Sequence, residues 1–274
     1  MKSPGAADGP TAAASMVGCL GLGDSLPKGP MIKIREADQI RHADGGWFSA
    51  RWHFSFDQYR DPDYMSFGAL RVFNDDRLIP GAIWPMHPHR DIEGITYVIE
   101  GLFEHADSLG HGGILEPGAI QRATLGSGME HSERNGSQEK PMRFLQFWIL
   151  PDTANLPPSV EQHQFTKADR KGCLLEVVNP TGTNAVRVHQ DARVYVSSLE
   201  RGDQVRHEMA GNRGAYVYLI EGRANLDGEP IRTGDAAMVT DERSLTIAAT
   251  EPSELILIDV PMHFEWVGFW QHRQ

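Results

Sequence analysis

The sequence predicts an all-β protein made of two facing β-sandwich or jelly-roll barrels with only short helices. Short apolar runs are separated by turn residues at intervals of about eight to twelve residues, which is typical of sandwiches and barrels. No long stretch has the periodicity of an amphipathic helix. The two halves of the chain also resemble each other, as expected for a duplicated β unit.

Residues 1–30 differ in composition from everything that follows. They are rich in Gly, Ala, Ser and Pro and have no apolar periodicity. Such a segment buries too little apolar surface to offset its ordering entropy, so we expect a disordered and dispensable N-terminal extension. At Met31 the pattern changes to apolar–polar alternation. Met31 is therefore a candidate translation start, with a genuine flexible tail as the alternative.

The first β-rich block is expected over residues 31–155. Its strand-like runs each end at residues that favour turns. They are residues 67–73, 95–99 and 144–149, followed by Asn74-Asp75-Asp76, Gly101 and Pro151 respectively. Three prolines within 151–165 indicate a connection between two β units. A second β-rich block is expected over residues 156–274.

An internal repeat relates the two blocks. The segment Tyr97-Val98-Ile99-Glu100-Gly101 matches Tyr218-Leu219-Ile220-Glu221-Gly222. A gapless alignment on these glycines places Glu208 at the position of His87 and Ala210 at that of His89. The neighbouring His207 is then expected to be an ordinary surface or loop residue. Any metal chemistry carried by His87 and His89 is therefore predicted for the first block alone.

Two His-containing pairs lie in strand-like surroundings, namely His87-Pro88-His89 and His131-Ser132-Glu133. Residues two apart on a strand point to the same face, so each pair aims two side chains at one point. If the strands face each other, three imidazoles and one carboxylate converge. This donor set suits a divalent transition metal, with iron, nickel, copper and zinc all open. Ser132, between two ligands, is expected to face away.

Composition excludes several classes of protein. The formal net charge of −11 argues against a nucleic-acid-binding surface, and no run of Lys or Arg indicates a local basic patch. No apolar run approaches the ~20 residues that span a bilayer. The two cysteines, Cys19 and Cys173, are isolated thiols that favour a reducing compartment. We therefore expect a cytoplasmic protein that does not bind membranes, with Cys173 as a small buried residue.

The sequence from about Met31 to Pro151 resembles the pirin family, the two-domain members of the cupin superfamily. The resemblance rests on His87-Pro88-His89-Arg90, Glu93, Thr96-Tyr97-Val98, Glu100-Gly101, Glu104-His105, Asp107-Ser108, Pro117-Gly118 and Gly128-x-x-His131-Ser132-Glu133. It is weaker through the second half. The resemblance implies a bicupin with one metal in the N-terminal barrel, held by His87, His89, His131 and Glu133.

The family also implies a metal and an activity. The metal in pirins is usually iron, so Fe(II) is expected here, with Ni, Cu, Mn or Zn as alternatives. Known activities are a quercetin 2,3-dioxygenase reaction and, in some members, binding to a regulator or enzyme. The general cupin motif would place a carboxylate ligand at position 94, which is Gly94 in this chain. Glu93 is adjacent and remains a second candidate ligand if a bulge turns it inward.

Three hypotheses follow. The first is a dioxygenase that opens a flavonol or related aromatic enol with O2, in which Glu133 serves as ligand and general base. The second is a non-enzymatic iron-binding protein whose metal state changes its affinity for a protein partner. The third, a structural zinc site, fits worst because such sites favour Cys and His.

Aromatic residues near the predicted site are candidates to line a substrate slot. They are Phe54, Phe56, Phe73 and Trp84, although core packing is the commoner role for each one taken singly. His105 and His111 lie near a turn-rich segment and are expected at solvated loop positions.

Overall fold

The computed structural model describes residues 31–272, so the predicted disorder of residues 1–30 lies outside the described residues. The first strands are β1 (Met31–Arg35), β2 (Arg41–Asp44), β3 (Phe48–Trp52), β4 (Leu70–Leu78), β5 (Ile83–His89), β6 (Glu93–Glu100), β7 (Phe103–Asp107), β8 (Gly112–Leu115), β9 (Ala119–Thr124), β10 (Met129–Asn135), β11 (Met142–Ile149) and β12 (Ser159–Gln164). The remaining strands are β13 (Leu175–Asn179), β14 (Val186–Arg187), β15 (Arg193–Leu199), β16 (Gln204–Glu208), β17 (Arg213–Glu221), β18 (Arg223–Leu226), β19 (Glu229–Arg232), β20 (Ala236–Thr240), β21 (Ser244–Ala249) and β22 (Ser253–Pro261).

The strands form four sheets in two domains of the same design. The N-terminal domain has a seven-stranded sheet, β12-β9-β6-β11-β4-β3-β2, and a four-stranded sheet, β5-β10-β7-β8. The C-terminal domain has β1-β20-β17-β22-β15-β13-β14 and β16-β21-β18-β19. The two orders correspond strand for strand, which confirms the predicted all-β architecture and its duplication.

Helical structure within residues 31–272 is limited to two 3-10 turns, at Pro62–Tyr64 and Gly268–Trp270. None of the helical segments in that range has the length and apolar character needed to cross a bilayer. The predicted cytoplasmic location stays a prediction.

Strand pairing crosses the predicted boundary at residue 155 in both directions. β12 follows that boundary yet pairs with β9 of the N-terminal domain, with Ser159 opposite Thr124. β1, from the start of the described chain, pairs with β20 of the C-terminal domain. Each large sheet offers an open edge whose backbone groups need partners, and each takes a strand from the other half of the sequence. The ranges 31–155 and 156–274 therefore describe halves of the chain and not the membership of the sheets.

The two large sheets pack face to face and form the main core. Phe73 of the N-terminal domain contacts Tyr216 and Tyr218 of the C-terminal domain, with ring centroids 5.3 and 5.2 Å apart. Polar groups cross the same interface: the Tyr218 hydroxyl donates to Asp75 Oδ2 at 2.5 Å, and His53 Nδ1 lies 2.5 Å from the Tyr216 hydroxyl. These buried hydrogen bonds add directional contacts to the apolar packing between the two domains.

Two predictions about local structure are wrong. Asn74-Asp75-Asp76 is not a turn, because β4 continues through it to Leu78 and all three residues are buried. Cys173 is exposed and not buried. It precedes β13 by two residues, and its thiol donates to Asp169 O at 3.5 Å.

Candidate metal centre

The candidate site lies between two paired strands of the small N-terminal sheet. β5 carries His87 and His89, and β10 carries His131 and Glu133. The strands are antiparallel, with His131 directly opposite His87. Next to this pair the register shifts, so that Glu133 faces Trp84. The shift falls at the part of β5 that contains Pro85. Because proline has no backbone N–H to donate to a neighbouring strand, it is found in sheets at edges and bulges.

The three imidazoles converge as predicted. One ligand nitrogen from each of His87, His89 and His131 lies within 4.8 Å of the other two. The Nδ1–H of His87 donates a hydrogen bond to Pro85 O at 2.8 Å. The other ring nitrogen, Nε2, is therefore the one available to bind a metal. His131 Nε2 is buried without a hydrogen-bond partner among the described residues. A buried nitrogen with no partner is costly unless something binds it, so this cluster fits a metal ion.

Burial keeps the imidazoles of His89 and His131 neutral. Loss of solvent, and then the neighbouring His131 and His87, lower the pKa of His89 to about 3. Burial and the neighbours His87 and His105 lower the pKa of His131 to about 3 as well. Neutral imidazole is the form that binds a metal, so these two histidines are ready to act as ligands at neutral pH.

Glu133 lies beside the three histidines without joining their closest group. Its Oε1 is 3.7 Å from His131 Nδ1, and it accepts a hydrogen bond from Gln146 Nε2. Burial raises the pKa of its carboxyl. A second buried carboxyl, Asp76, has a pKa raised well above its ordinary value by burial and by the nearby Glu133. Sequence reasoning missed Asp76 and Gln146, because only the pairing of β4 with β11 brings them to this wall.

A cavity of about 1180 Å³ opens over the site. Its wall includes His87, His89 and Glu133, together with aromatic side chains. These are Phe48, Trp52, Phe56, Tyr59, Trp84, Trp148 and Trp270. Of the four predicted slot residues, Phe56 and Trp84 border this cavity, whereas Phe54 and Phe73 belong to the interdomain core. A smaller cavity of about 670 Å³ lies on the other side of His89, Trp148 and Trp270.

The second candidate ligand, Glu93, has other partners. Its carboxylate accepts hydrogen bonds from the Thr124 hydroxyl at 2.8 Å and the His189 backbone N–H at 2.6 Å, and it lies 2.8 Å from His189 Nδ1. Glu93 therefore ties β6 to the C-terminal half of the chain. No bulge turns it toward the three histidines.

His105 is buried on β7 and is not a solvated loop residue. Its Nδ1 lies 3.2 Å from Gln121 Nε2, and its ring centroid is 5.8 Å from that of His131. His111 is exposed, as expected. His105 therefore packs against His131, behind the candidate site.

Ser132, between His131 and Glu133 on β10, has its hydroxyl 3.5 Å from Ala106 O and donates a hydrogen bond to it.

His207 also departs from its prediction. It is buried, pairs with Leu245 across β16 and β21, and has Nε2 2.8 Å from Asp259 Oδ2. Four residues, 209–212, separate β16 from β17, whereas three, 90–92, separate β5 from β6. His207 also faces Leu245 of β21 as His87 faces His131 of β10. His207, and not Glu208, is therefore the structural counterpart of His87.

Comparison with known proteins agrees with this geometry. The Pirin family model matches residues 33–149, and a model described as the quercetinase C-terminal cupin domain matches residues 177–260. A protein of Escherichia coli strain K12 named quercetin 2,3-dioxygenase is 36% identical over 232 residues, which cover 84% of this chain and 99% of the relative. This chain belongs to the pirin family.

Other relatives give the same assignment. A pirin-like protein of Caulobacter vibrioides is 37% identical over 231 residues, covering 84% of this chain and 99% of that protein. Among solved structures, the bacterial pirin YhhW of Escherichia coli in complex with nickel(II) has a TM-score of 0.80 and 35% identity, over 84% of this chain and 99% of its own. The fold is thus a pirin bicupin.

Proposed function

We propose that this pirin is a metal-dependent dioxygenase of the quercetin 2,3-dioxygenase type, which opens a flavonol or a related aromatic enol with O2. One observation carries the proposal: three imidazoles and a buried carboxylate lie together beside a large cavity that is lined by aromatic rings. The names of the relatives support the same activity. An apolar cavity with a few convergent polar groups is the usual form of a small-molecule site.

We propose that His87, His89, His131 and Glu133 hold the metal, with Fe(II) as the resident ion. Three nitrogens and one oxygen suit Fe(II), and also Ni, Cu, Mn or Zn, so geometry alone favours none of them. When bound, a divalent metal supplies Lewis-acid stabilisation for a deprotonated enol oxygen and open positions for small ligands.

The protein's own groups do the rest. Glu133 is placed to accept the proton of the enolic hydroxyl, and its raised pKa makes it a better base at neutral pH. The amide of Gln146 holds that carboxylate in place. Trp84 and Trp148 provide flat apolar walls for the rings of the substrate and exclude water.

An aerobic turnover assay tests the proposal. The purified chain, loaded in turn with iron, nickel, copper and manganese, is mixed with quercetin while O2 and flavonol are followed together. We expect metal-dependent loss of both in equal amounts, and none in the metal-free protein. If no metal gives O2 uptake with any flavonol, the dioxygenase proposal is wrong. A non-enzymatic protein whose metal state governs a protein partner would then replace it.

A further inference from the structure

Arg71 lines the large cavity because of an irregularity in β4. Along the ladder between β4 and β11, Val72 pairs with Trp148 and Leu70 with Ile149, so Arg71 is an extra residue between two pairs. Such a bulge re-aims a side chain that regular alternation would send to the opposite face. Arg71 thus borders the same cavity as Val72, Asn74 and Asp76.

The guanidinium of Arg71 is half-buried without a carboxylate beside it. One nitrogen donates to Ser55 O at 2.8 Å, and the group lies 5.3 Å from the ring centre of Trp270. Among the ion pairs of residues 31–272, none involves Arg71. Burial and then repulsion from Arg60 lower the pKa of Arg71. Because the charged group nearest to Arg71 is a second cation, Arg60, a bound anion would be attracted by both guanidinium groups.

The rest of this end of the cavity has the same character. Arg60 borders the cavity, donates only to the backbone oxygens of Asp57 and Tyr59, and has no ion pair within the described chain. Acidic residues are present on the wall: Asp44 and Asp57 are exposed at the mouth, and Asp76 and Glu133 lie at the metal end. Asp76 is five residues from Arg71 along β4, a separation of about 16 Å.

A second unpartnered donor belongs to Trp270, a residue that borders the same space. The indole N–H of Trp270 is buried and has no hydrogen-bond partner in residues 31–272. The Trp270 ring lies against Arg71, and its side chain borders both cavities. A buried donor without a partner is uncommon and calls for an acceptor from outside the chain.

The distance between this end and the metal end matches a flat aromatic molecule. Asn74 pairs with Gln146, whose amide holds Glu133. Arg71 is three residues from Asn74, or roughly 10 Å along the strand. A flavonol-like molecule with its enol at the three histidines would therefore bring its remote ring to Arg71.

We infer that the substrate of this site is a planar aromatic enol that also carries a carboxylate on the ring remote from the enol, and that Arg71 selects for it. A guanidinium binds a carboxylate through two parallel hydrogen bonds, with Trp270 as an additional donor. The inference rests on the proposed aromatic-enol function for the metal end of the ligand. It adds a substrate class that the neutral flavonol does not represent.

The test compares two probes on the same metal-loaded chain without O2: 3-hydroxyflavone and its 4′-carboxylate. Binding is followed by quenching of tryptophan fluorescence. We expect the carboxylate to bind roughly 10- to 100-fold more tightly, the usual gain from a charge-assisted bidentate pair. Arg71→Gln should remove the preference, so that the two probes bind this variant with similar affinity. Arg71→Lys should keep part of the preference, since charge remains and the planar fork is lost.

Arg77→Gln is the matched control, because Arg77 is exposed on the same strand and does not border the cavity. It should keep the full preference. Equal binding of the two probes by the parent protein, or a preference that survives Arg71→Gln, would overturn the inference. If neither probe binds, the aromatic-enol class is wrong and the inference falls with it. Probes that bind with the expected preference but support no O2 uptake would defeat the dioxygenase proposal alone.

Discussion

The two domains have the same strand order but differ in what fills the space between their sheets. In the N-terminal domain, β10 places His131 opposite His87 and Glu133 opposite His105. At the corresponding points of the C-terminal domain, β21 places Leu245 opposite His207 and Ile247 opposite Leu226 of β18. At these points the N-terminal barrel carries polar side chains beside an open cavity, and the C-terminal barrel carries packed apolar side chains.

The C-terminal barrel shows how much stability apolar side chains can contribute at positions that are polar in the N-terminal barrel. Leu226, Leu245 and Ile247 are fully buried in one apolar cluster of the C-terminal domain. At the corresponding positions the N-terminal domain buries the ionisable side chains His105, His131 and Glu133, which contribute less to stability than packed apolar groups do. The one histidine kept in this region, His207, is hydrogen-bonded to Asp259. Function therefore depends on which residues occupy the shared fold, and not on the fold itself.

The largest expected effect is loss of the metal. His87→Ala removes one of the proposed ligands, and metal content should fall from about one equivalent per chain to less than about 0.1. His207→Ala, at the corresponding place in the C-terminal domain, should cost stability and retain the metal. Elemental analysis of both purified variants gives the answer. Two equivalents in the parent protein, with one retained in His87→Ala, would mean that both barrels bind metal.

The next effect concerns catalysis. Glu133→Gln keeps the size of the side chain and removes the proton acceptor, so flavonol turnover should fall by roughly 10²–10⁴ while most of the metal remains. Ser132→Ala, which changes the adjacent residue, should leave turnover nearly unchanged. Oxygen uptake and metal analysis on the same samples separate the two roles proposed for Glu133, general base and metal ligand. Full turnover in Glu133→Gln would move the search for the base to Asp76, the other buried carboxyl of the cavity wall.

The third effect tests the filled barrel. Ile247→Ala leaves a cavity among packed side chains and should lower the free energy of unfolding by about 2–5 kcal/mol. Thr246→Ala, on the opposite face of the same strand, should change it by no more than about 0.5 kcal/mol. Denaturant unfolding of the metal-free proteins measures both. Similar losses in the two variants would mean that Ile247 is not part of a tightly packed core.

The sequence predicted the part of the site that depends on strand periodicity. His-x-His and His-x-Glu each place two side chains on one face, and that rule needs no tertiary information. The duplicated fold was likewise visible in the match between residues around Gly101 and Gly222. These features are local, so spacing alone specifies them.

Features that depend on register and burial were not predictable. A gapless alignment assigned Glu208 to the place of His87, because a single extra residue in a loop exchanges the two faces of a strand. Asn74-Asp75-Asp76 has the composition of a turn, yet tertiary packing draws it into β4. Glu93 and His105 have partners from distant parts of the chain, namely His189 and Gln121, which no local pattern identifies.

The smallest expected effect is on how the free energy of unfolding depends on pH, and it arises from histidines in the N-terminal half of the chain. His53, His89 and His131 have a pKa lowered to about 3, in each case mainly by burial. Below an ordinary histidine pKa of 6.5 the unfolded chain takes up a proton that the folded chain refuses, so stability falls as pH decreases from about 6.5 toward 3. Each such group contributes a slope of about 1.4 kcal/mol per pH unit in the metal-free protein.

His53 isolates this effect, because it lies in the interdomain interface against Tyr216 and away from the metal centre. His53→Gln removes the titrating group and keeps a hydrogen-bonding side chain, so the decline in unfolding free energy between pH 6.5 and 5 should become shallower by about 1.4 kcal/mol per pH unit. His42→Gln, at an exposed position on β2, should leave the slope unchanged. Denaturant unfolding at several pH values measures the slopes. An unchanged slope in His53→Gln would contradict this prediction. It would mean that His53 is protonated in the folded protein between pH 6.5 and 5.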